Sequence, residues 1–396
     1  KGEEVIYKLK GKDGDEYEYN RQELADVIKD SELGVAANGV LYMQDKPGLI
    51  ADILNTWFNK RVEYRKLEKK YGEEKNTELY EFYGKRQHVQ KILLNSMYGV
   101  LGLPAFRFYD VDNAEAVTLT GQVVIKKTAE MANRKYWKEL GTTDDYNVYI
   151  DTDSIYMMAE PLVKHRYPEY KTFDEKRMAV EVDNIATETQ TFLNSFYDLL
   201  AERFFFIPKD KHRFEIKKEY ISKAGFWVAK KRYAQWMILK NGIPCDKLDV
   251  KGLDVVRSSF PKAFQKFMST MLKDILMGKD HEYIDDTLLT FKKSLPTLPV
   301  NTIAKGGALK ELSKYDKGNW KSGDAVANFE KGTPAHVKAG ITYNRLLKFF
   351  NCPYKHEPIR DGDKVKWVYL KDNPLGLETV AFKDYNDPKE IMDFVE

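Results

Sequence analysis

Between residues 49 and 98 apolar positions recur at helical spacing, with one interruption. Ile50, Ile53, Leu54, Trp57 and Phe58 share one side of a helix from Leu49 to Tyr71, with Arg and Lys on its other faces. Gly72 to Thr77 is a polar break, and a second helix runs from about Thr77 to Tyr98, ended by Gly99 and Gly102. The pair reads as a projecting antiparallel helical hairpin. Upstream, residues 1–45 read as short strands and turns, with a turn-rich stretch at Lys10–Asp15 and an Asn38-Gly39 turn feeding Val40-Leu41-Tyr42. Downstream, Asp112 is placed as the cap of a third helix to Leu140. Val148-Tyr149-Ile150 and Ile155-Tyr156-Met157 then form a β-hairpin with Asp151-Thr152-Asp153-Ser154 at its bend.

A long amphipathic helix is expected over 173–204, followed by strands at His212–Glu219, Phe226–Val228, Tyr233–Leu239 and Lys247–Val250. The last third reads as helical. Ser259 and Pro261 open a helix to Met277, Tyr283–Ser294 is another, Thr333 caps one through Phe350, and Val365–Leu370 is a late strand. There is no internal repeat. This order is an α+β layout rather than alternating βα units.

Composition narrows the class. The 396 residues are 43% hydrophobic and 13% aromatic, enough for a packed core and against intrinsic disorder. Lys and Arg number 64 against 61 Asp and Glu, so any nucleic-acid affinity must come from local patches. Cys245 and Cys352 form neither a disulfide framework nor a zinc set, which suits a reducing, cytoplasmic compartment. No apolar run reaches the ~20 residues of a membrane span. The chain begins Lys1-Gly2-Glu3-Glu4 without Met, from which a piece of something longer is expected.

Four groups of residues offer chemistry. Asp151 and Asp153 at a strand end suit Mg²⁺, which takes one or two carboxylates plus substrate phosphates; alone, the bend reads more readily as a solvated turn. Lys91, Asn95 and Tyr98 share one helical face with Ser96 and Gly99 beside them, an arrangement for a nucleotide, or for a solvated Lys beside a core Tyr. Arg61 and Arg65 are i,i+4 on the facing helix, where Arg gives bidentate phosphate contacts or plain surface charge. Lys209 to Arg232 carries nine basic and three acidic residues, interleaved with Phe226 and Trp227 and followed by Tyr233. It fits a polynucleotide backbone track, with Glu219 as an acidic support inside it. A weaker basic stretch, Lys310 to Lys348, contains Gly318.

Together these residues resemble family B DNA polymerases. KILLNSMYG at 91–99 resembles the family's K-x-x-x-N-S-x-Y-G motif, and YIDTDS at 149–154 its Y-x-D-T-D-S motif. Lys231-Arg232-Tyr233 resembles K-x-Y, and Lys251-Gly252-Leu253-Asp254 with Arg257 resembles the stretch opening the thumb. The flanking sequence is most similar to polymerases of tailed phages. The resemblance implies a right-hand architecture: a palm segment or insertion over 1–46, helical-hairpin fingers over 47–101, an antiparallel-sheet palm over 102–256, and a mainly helical thumb over 257–396 that stops short.

It further implies that Asp153 and Asp151 are metal-binding catalytic acids, Glu219 a third acid near the metals, and Lys91 a catalytic cation. Lys91, Arg61 and Arg65 would hold the triphosphate, and Asn95 and Tyr98 shape the pocket for the nascent pair. Lys230, Lys231, Tyr233, Lys251, Gly252 and Arg257 would bind primer-template DNA. The implied cofactors are two Mg²⁺ ions, with Mn²⁺ as a substitute. The implied partners are primer-template DNA, dNTP, a sliding clamp and an N-terminal piece, since the family's D-x-x-S-L-Y-P-S motif and exonuclease do not occur in these residues. Asp280-His281-Glu282 has the exonuclease's D-x-E form in a polar setting and reads as a chance match on an exposed helix. The rival readings are a non-catalytic primer-template binding module and another two-metal nucleotidyltransferase or nuclease.

Overall fold

The computed structural model describes residues 6–11, 14–318, 329–352 and 355–395. The opening Lys1–Glu4, part of the Lys10–Asp15 turn and part of the Lys310–Lys348 stretch lie outside them. The chain divides into two compact units, Lys1–Lys218 and Glu219–Glu396.

In the first unit, β1 (Tyr7–Lys10) and β2 (Glu16–Tyr19) form a hairpin, followed by α1 (Arg21–Asp30) and the pair β3 (Leu33–Val35) and β4 (Leu41–Met43). The sequence reading had no helix here. Asn20 caps α1, accepting from the Glu23 backbone while Glu23 bonds back to the Asn20 N–H at 2.9 Å. This capping box stabilises a helix whose apolar content is low. Then come α2 (Leu49–Glu73) and α3 (Thr77–Leu101), antiparallel.

No residue of α2 is buried, and on α3 only Leu101 is, so the hairpin stands away from the core. Its helices meet along half-buried positions at three- and four-residue steps, Trp57, Arg61, Tyr64 and Leu67 on α2 and Tyr83, Gln87, Gln90 and Leu94 on α3. That repeat is the seam of a coiled coil. Gly72 lies against Tyr80 and Gly84 against Glu68, which sets the register.

α4 (Val111–Leu140) is capped by Asp110, not by Asp112: the Asp110 carboxylate accepts from the Asn113 N–H at 3.0 Å. β5 (Asn147–Asp151) and β6 (Ser154–Met157) form a two-stranded antiparallel sheet. α5 (Glu160–Arg166) and α6 (Glu175–Phe204) follow, and α4, α5 and α6 enclose a core around Tyr136, Leu162, Val163 and Ile185. Arg166 ties them together, bonding Glu139 of α4 at 2.5 and 3.0 Å and Glu188 of α6 at 2.7 and 3.0 Å.

Residues 212–219 are not a strand. The segment alternates like one, but it lies along α6 and its backbone bonds that helix's side chains. Ile216 N–H donates to Asn194 at 2.9 Å and Lys218 N–H to Gln190 at 2.7 Å. Side-chain amides thus replace a ladder partner.

The second unit begins with a meander, β7 (Tyr220–Ala229), β8 (Arg232–Lys240) and β9 (Ile243–Lys251), packed on α7 (Lys262–Leu276) through Ala234, Val255 and Leu272. α8 (His281–Ser294) is capped by Asp280, which accounts for that acid structurally. The rest is less helical than the sequence suggested. After α9 (Val300–Ile303), β10 (Lys305–Ala308), α10 (Leu312–Tyr315) and α11 (Ala335–Phe349), β11 (Lys364–Tyr369) and β12 (Thr379–Phe382) complete a sheet of order β10-β11-β12, and α12 (Lys389–Val395) ends the described chain. α11 and this sheet bury Leu309, Leu346, Leu347, Val380 and Phe382 as the largest core. Pro334, not Thr333, precedes α11; the Thr333 hydroxyl donates to the Glu330 carbonyl instead.

Candidate active site and nucleic-acid interface

The β5–β6 connection is two residues long. Asp151 pairs with Ser154, and between them Thr152 adopts φ 52°. The Asp153 N–H donates back to the Asp151 carbonyl at 2.6 Å, closing a three-residue turn. A bond across one left-handed residue is the rarer, strained form of that turn, and a β-branched side chain there is unusual. The Thr152 hydroxyl donates to the Asp151 carboxylate at 3.0 Å and the Ser154 hydroxyl to its carbonyl at 3.1 Å. Both acids therefore sit at the tip of one tight bend, with Asp153 exposed and Asp151 half-buried.

Among the described residues no group of three or more His, Cys, Asp or Glu converges to hold a metal. A hard cation sharing substrate phosphates needs only one or two carboxylates, so the bend fits that role and not a cage made by the protein alone. Glu219, the expected third acid, belongs to the second unit. It is exposed, and its carbonyl accepts from Asn241 at the β8–β9 turn.

The hairpin sheet has an unpartnered side. Val148 and Ile150 alternate outward from Tyr149 and Asp151 and are each 37% exposed. Neither strand has a second neighbour among the described residues. Two-stranded sheets are marginal on their own.

On α3, Lys91, Asn95 and Tyr98 are all exposed, as a shared face requires. On α2, Arg65 is exposed and Arg61 occupies a seam position. Continuing the Gly72–Tyr80 and Glu68–Gly84 register two turns along brings Arg61 level with Gln90 and Lys91. Burial, and secondarily the like charge of Arg65, lower the Arg61 guanidinium from its ordinary value. Its Nε has no hydrogen-bond partner, and neither has the Gln90 side-chain oxygen. A desolvated cation beside a second cation is a ready receptor for an anion.

The basic stretch divides. Lys209 pairs with Asp198 of α6 at 2.8 Å, Lys218 with Asp183 of α6 at 2.5 Å and Lys217 with the neighbouring Glu215 at 3.0 Å, so much of the charge of its first half is already paired. The second half ends in the exposed β7–β8 turn, where Lys230, Lys231 and Arg232 stand together. Tyr233 is different: it is buried at 5% and its ring stacks on Trp227. Lys251 lies directly across from Tyr233 and pairs with Asp249 at 3.2 Å, while Arg257 pairs with Asp254 at 3.2 Å. Glu219 lies at the opposite end of β7, about 30 Å from the basic turn.

The sequence model of DNA polymerase family B matches residues 10–166. The DNA-directed DNA polymerase of Enterobacteria phage T4 is 29% identical over 326 residues, covering 76% of this chain and 33% of that protein. The enzyme of Escherichia phage RB69 is 26% identical, with the same coverage. DNA polymerase 1 of Pyrococcus abyssi is 26% identical over 89% of this chain and 37% of its own length. Over these residues the chain is similar to family B DNA polymerases, those of phages among them. It spans about a third of the length of these relatives. Among the described residues no helix is long and apolar enough to cross a membrane.

Proposed function

We propose that this chain is the polymerising portion of a template-directed DNA polymerase, adding dNTPs to a primer 3′-hydroxyl. The observation that carries the reading is the Asp151–Asp153 bend in a chain similar to family B polymerases. Two Mg²⁺ ions bound at such acids would activate the primer hydroxyl and stabilise the leaving pyrophosphate. Arg61, Arg65 and Lys91 bind the triphosphate, offsetting charge that develops on its oxygens. Asn95 and Tyr98, one and two turns beyond Lys91, orient the sugar and base. Lys230, Lys231, Lys251 and Arg257 contact backbone phosphates of primer-template DNA, Lys251 and Arg257 exchanging their carboxylate partners for phosphate. On this reading α2 and α3 are fingers, β5–β6 and the β7–β9 meander are palm, and the residues from 257 are thumb.

Catalysis by this chain further requires a strand bearing D-x-x-S-L-Y-P-S, a run these 396 residues do not contain. The uncovered face at Val148 and Ile150, the two open edges of β5–β6 and the relatives' greater length support that requirement.

The test is primer extension in Mg²⁺. The chain alone should extend nothing, and mixing with a polypeptide carrying D-x-x-S-L-Y-P-S should restore extension and raise the melting temperature together. Robust extension by the chain alone would show that the catalytic acids have been misassigned. No extension after mixing, with no affinity for primer-template, would overturn the polymerase reading.

A further inference from the structure

The turn that carries Lys230 and Lys231 is held from outside its own hairpin. Lys231 adopts φ 60°, and Gly252, just beyond the end of β9, adopts φ 64°. Tyr233 lies opposite Lys251 in the β8–β9 ladder, so one step further Gly252 comes level with Arg232. A Cβ on Gly252 would overlap the Lys231 carbonyl oxygen and stand 3.1 Å from Arg232 Cγ. A backbone carbonyl cannot swing aside as a long side chain can. Gly252, Lys231 and Arg232 are all exposed, so this close approach contributes little to apolar burial. What it fixes is the direction in which the turn leaves the sheet. Gly242, at the β8–β9 turn at the far end of the same sheet, has φ 76° but nothing within 4 Å of its Cβ position.

We infer that Gly252 is a positioning residue for polynucleotide binding: its bare backbone seats the Lys231 carbonyl, and that seat aims Lys230, Lys231 and Arg232 at successive phosphates of the nucleic-acid backbone. The inference rests on the reading that this turn meets DNA. It joins two segments, KRY at 231–233 and KGLD at 251–254, into one mechanical unit. A cation array that meets successive phosphates gains from a fixed backbone, because a loose turn would add its own ordering cost to the side-chain entropy that Lys and Arg lose on binding.

The experiment measures affinity of the full chain for a labelled primer-template duplex by fluorescence anisotropy, across a salt series, in the absence of Mg²⁺. Each phosphate contact contributes about 0.9 to the slope of log affinity against log salt. The variants are Gly252→Ala, Gly242→Ala, Lys231→Ala and the double variant Gly252→Ala/Lys231→Ala. Gly242→Ala carries the same left-handed backbone cost without a carbonyl in the way. Gly252→Ala should flatten the slope by at least about 0.9, Gly242→Ala should leave it unchanged, and the double variant should bind no worse than the weaker single one. Equal slopes for Gly252→Ala and wild type, equal losses in the two glycine variants, or additive losses in the double variant would each overturn the inference. A flat salt response of the wild type would overturn the underlying reading instead. If Gly252→Ala does not melt cooperatively, Gly252→Ala/Lys231→Gly replaces it, because a glycine at 231 can turn its carbonyl away. That pair should melt like Lys231→Gly alone; a pair that stays unfolded would refute the carbonyl contact as the constraint.

Discussion

Replacing Arg61 by Leu separates stability from function, because the two should move in opposite directions. Arg61 sits where a helical-hairpin seam calls for an apolar residue, and its Nε is shielded without a partner. An unsatisfied shielded N–H costs about 1–3 kcal/mol. The guanidinium is only partly desolvated, so the low end, about 1 kcal/mol, applies. Leucine has a comparable stem to bury in the same seam, so packing changes little. Arg61→Leu should therefore stabilise the first unit by about 1 kcal/mol, an increase of about 2–4 °C in its melting temperature. Its effect on nucleotide use is the reverse. A charge-assisted contact to phosphate contributes about 1.5–3 kcal/mol, so kcat/KM for dNTP should fall about ten- to hundredfold. The melt is read on this chain by fluorescence. Turnover is read at saturating primer-template on a polymerase that also carries D-x-x-S-L-Y-P-S. If melting temperature and turnover fall together, Arg61 is a structural residue. If kcat/KM is unchanged, the anion-receptor argument fails.

Two further outcomes follow from named groups. Asp153→Asn, in the completed enzyme, should abolish nucleotide addition while duplex affinity measured by anisotropy stays within about twofold of wild type, since the side chain meets metal and not DNA; extension near the wild-type rate would show that another acid does the work. Arg166→Met should lower the melting temperature by about 2–8 °C at neutral pH, from about 1–2 kcal/mol for a partly exposed double carboxylate pair; hydrogen bonds from Arg166 hold Glu139 and Glu188 below the ordinary carboxylate value, so the difference between variant and wild type should be full above about pH 5 and shrink as the carboxylates are protonated below it, and a difference independent of pH would refute the ion-pair account.

Long periodic elements were legible in the sequence because their burial depends on a face that repeats. The α2–α3 hairpin, α4 and α6 are of this kind. The acids were legible too, since a two-residue bend between apolar runs leaves carboxylates nowhere else to go. Elements held by single contacts were harder to see. The Asn20–Glu23 capping box was present in the sequence and would have announced α1. Strand-like alternation at 212–219 records a surface lying on α6, and alternation cannot tell a ladder from a row of Asn and Gln side chains. Charge counting likewise could not reveal that Asp198 and Asp183, far back in sequence, neutralise Lys209 and Lys218. Tyr233 follows three cations and so resembles a gripping residue, yet the pleat turns its ring inward onto Trp227.

On the proposed function, the placement of the acids would make completion and catalysis one event. Asp151 and Asp153 ride on a two-stranded sheet, the least stable sheet there is, and are joined through a left-handed threonine that costs free energy to hold. Strained turns persist only where their surroundings over-determine them. Side-chain bonds from Thr152 and Ser154 brace the bend here, while Val148 and Ile150 are open to water on the other face. A strand added at an edge would cover apolar surface, add a row of backbone hydrogen bonds and stiffen the bend, all before any metal is bound. In the proposed enzyme that same strand carries the opposing acid. The free energy of docking would thus be spent on holding two carboxylates still, and an unpaired β5–β6 would keep its acids too mobile to capture a hydrated cation.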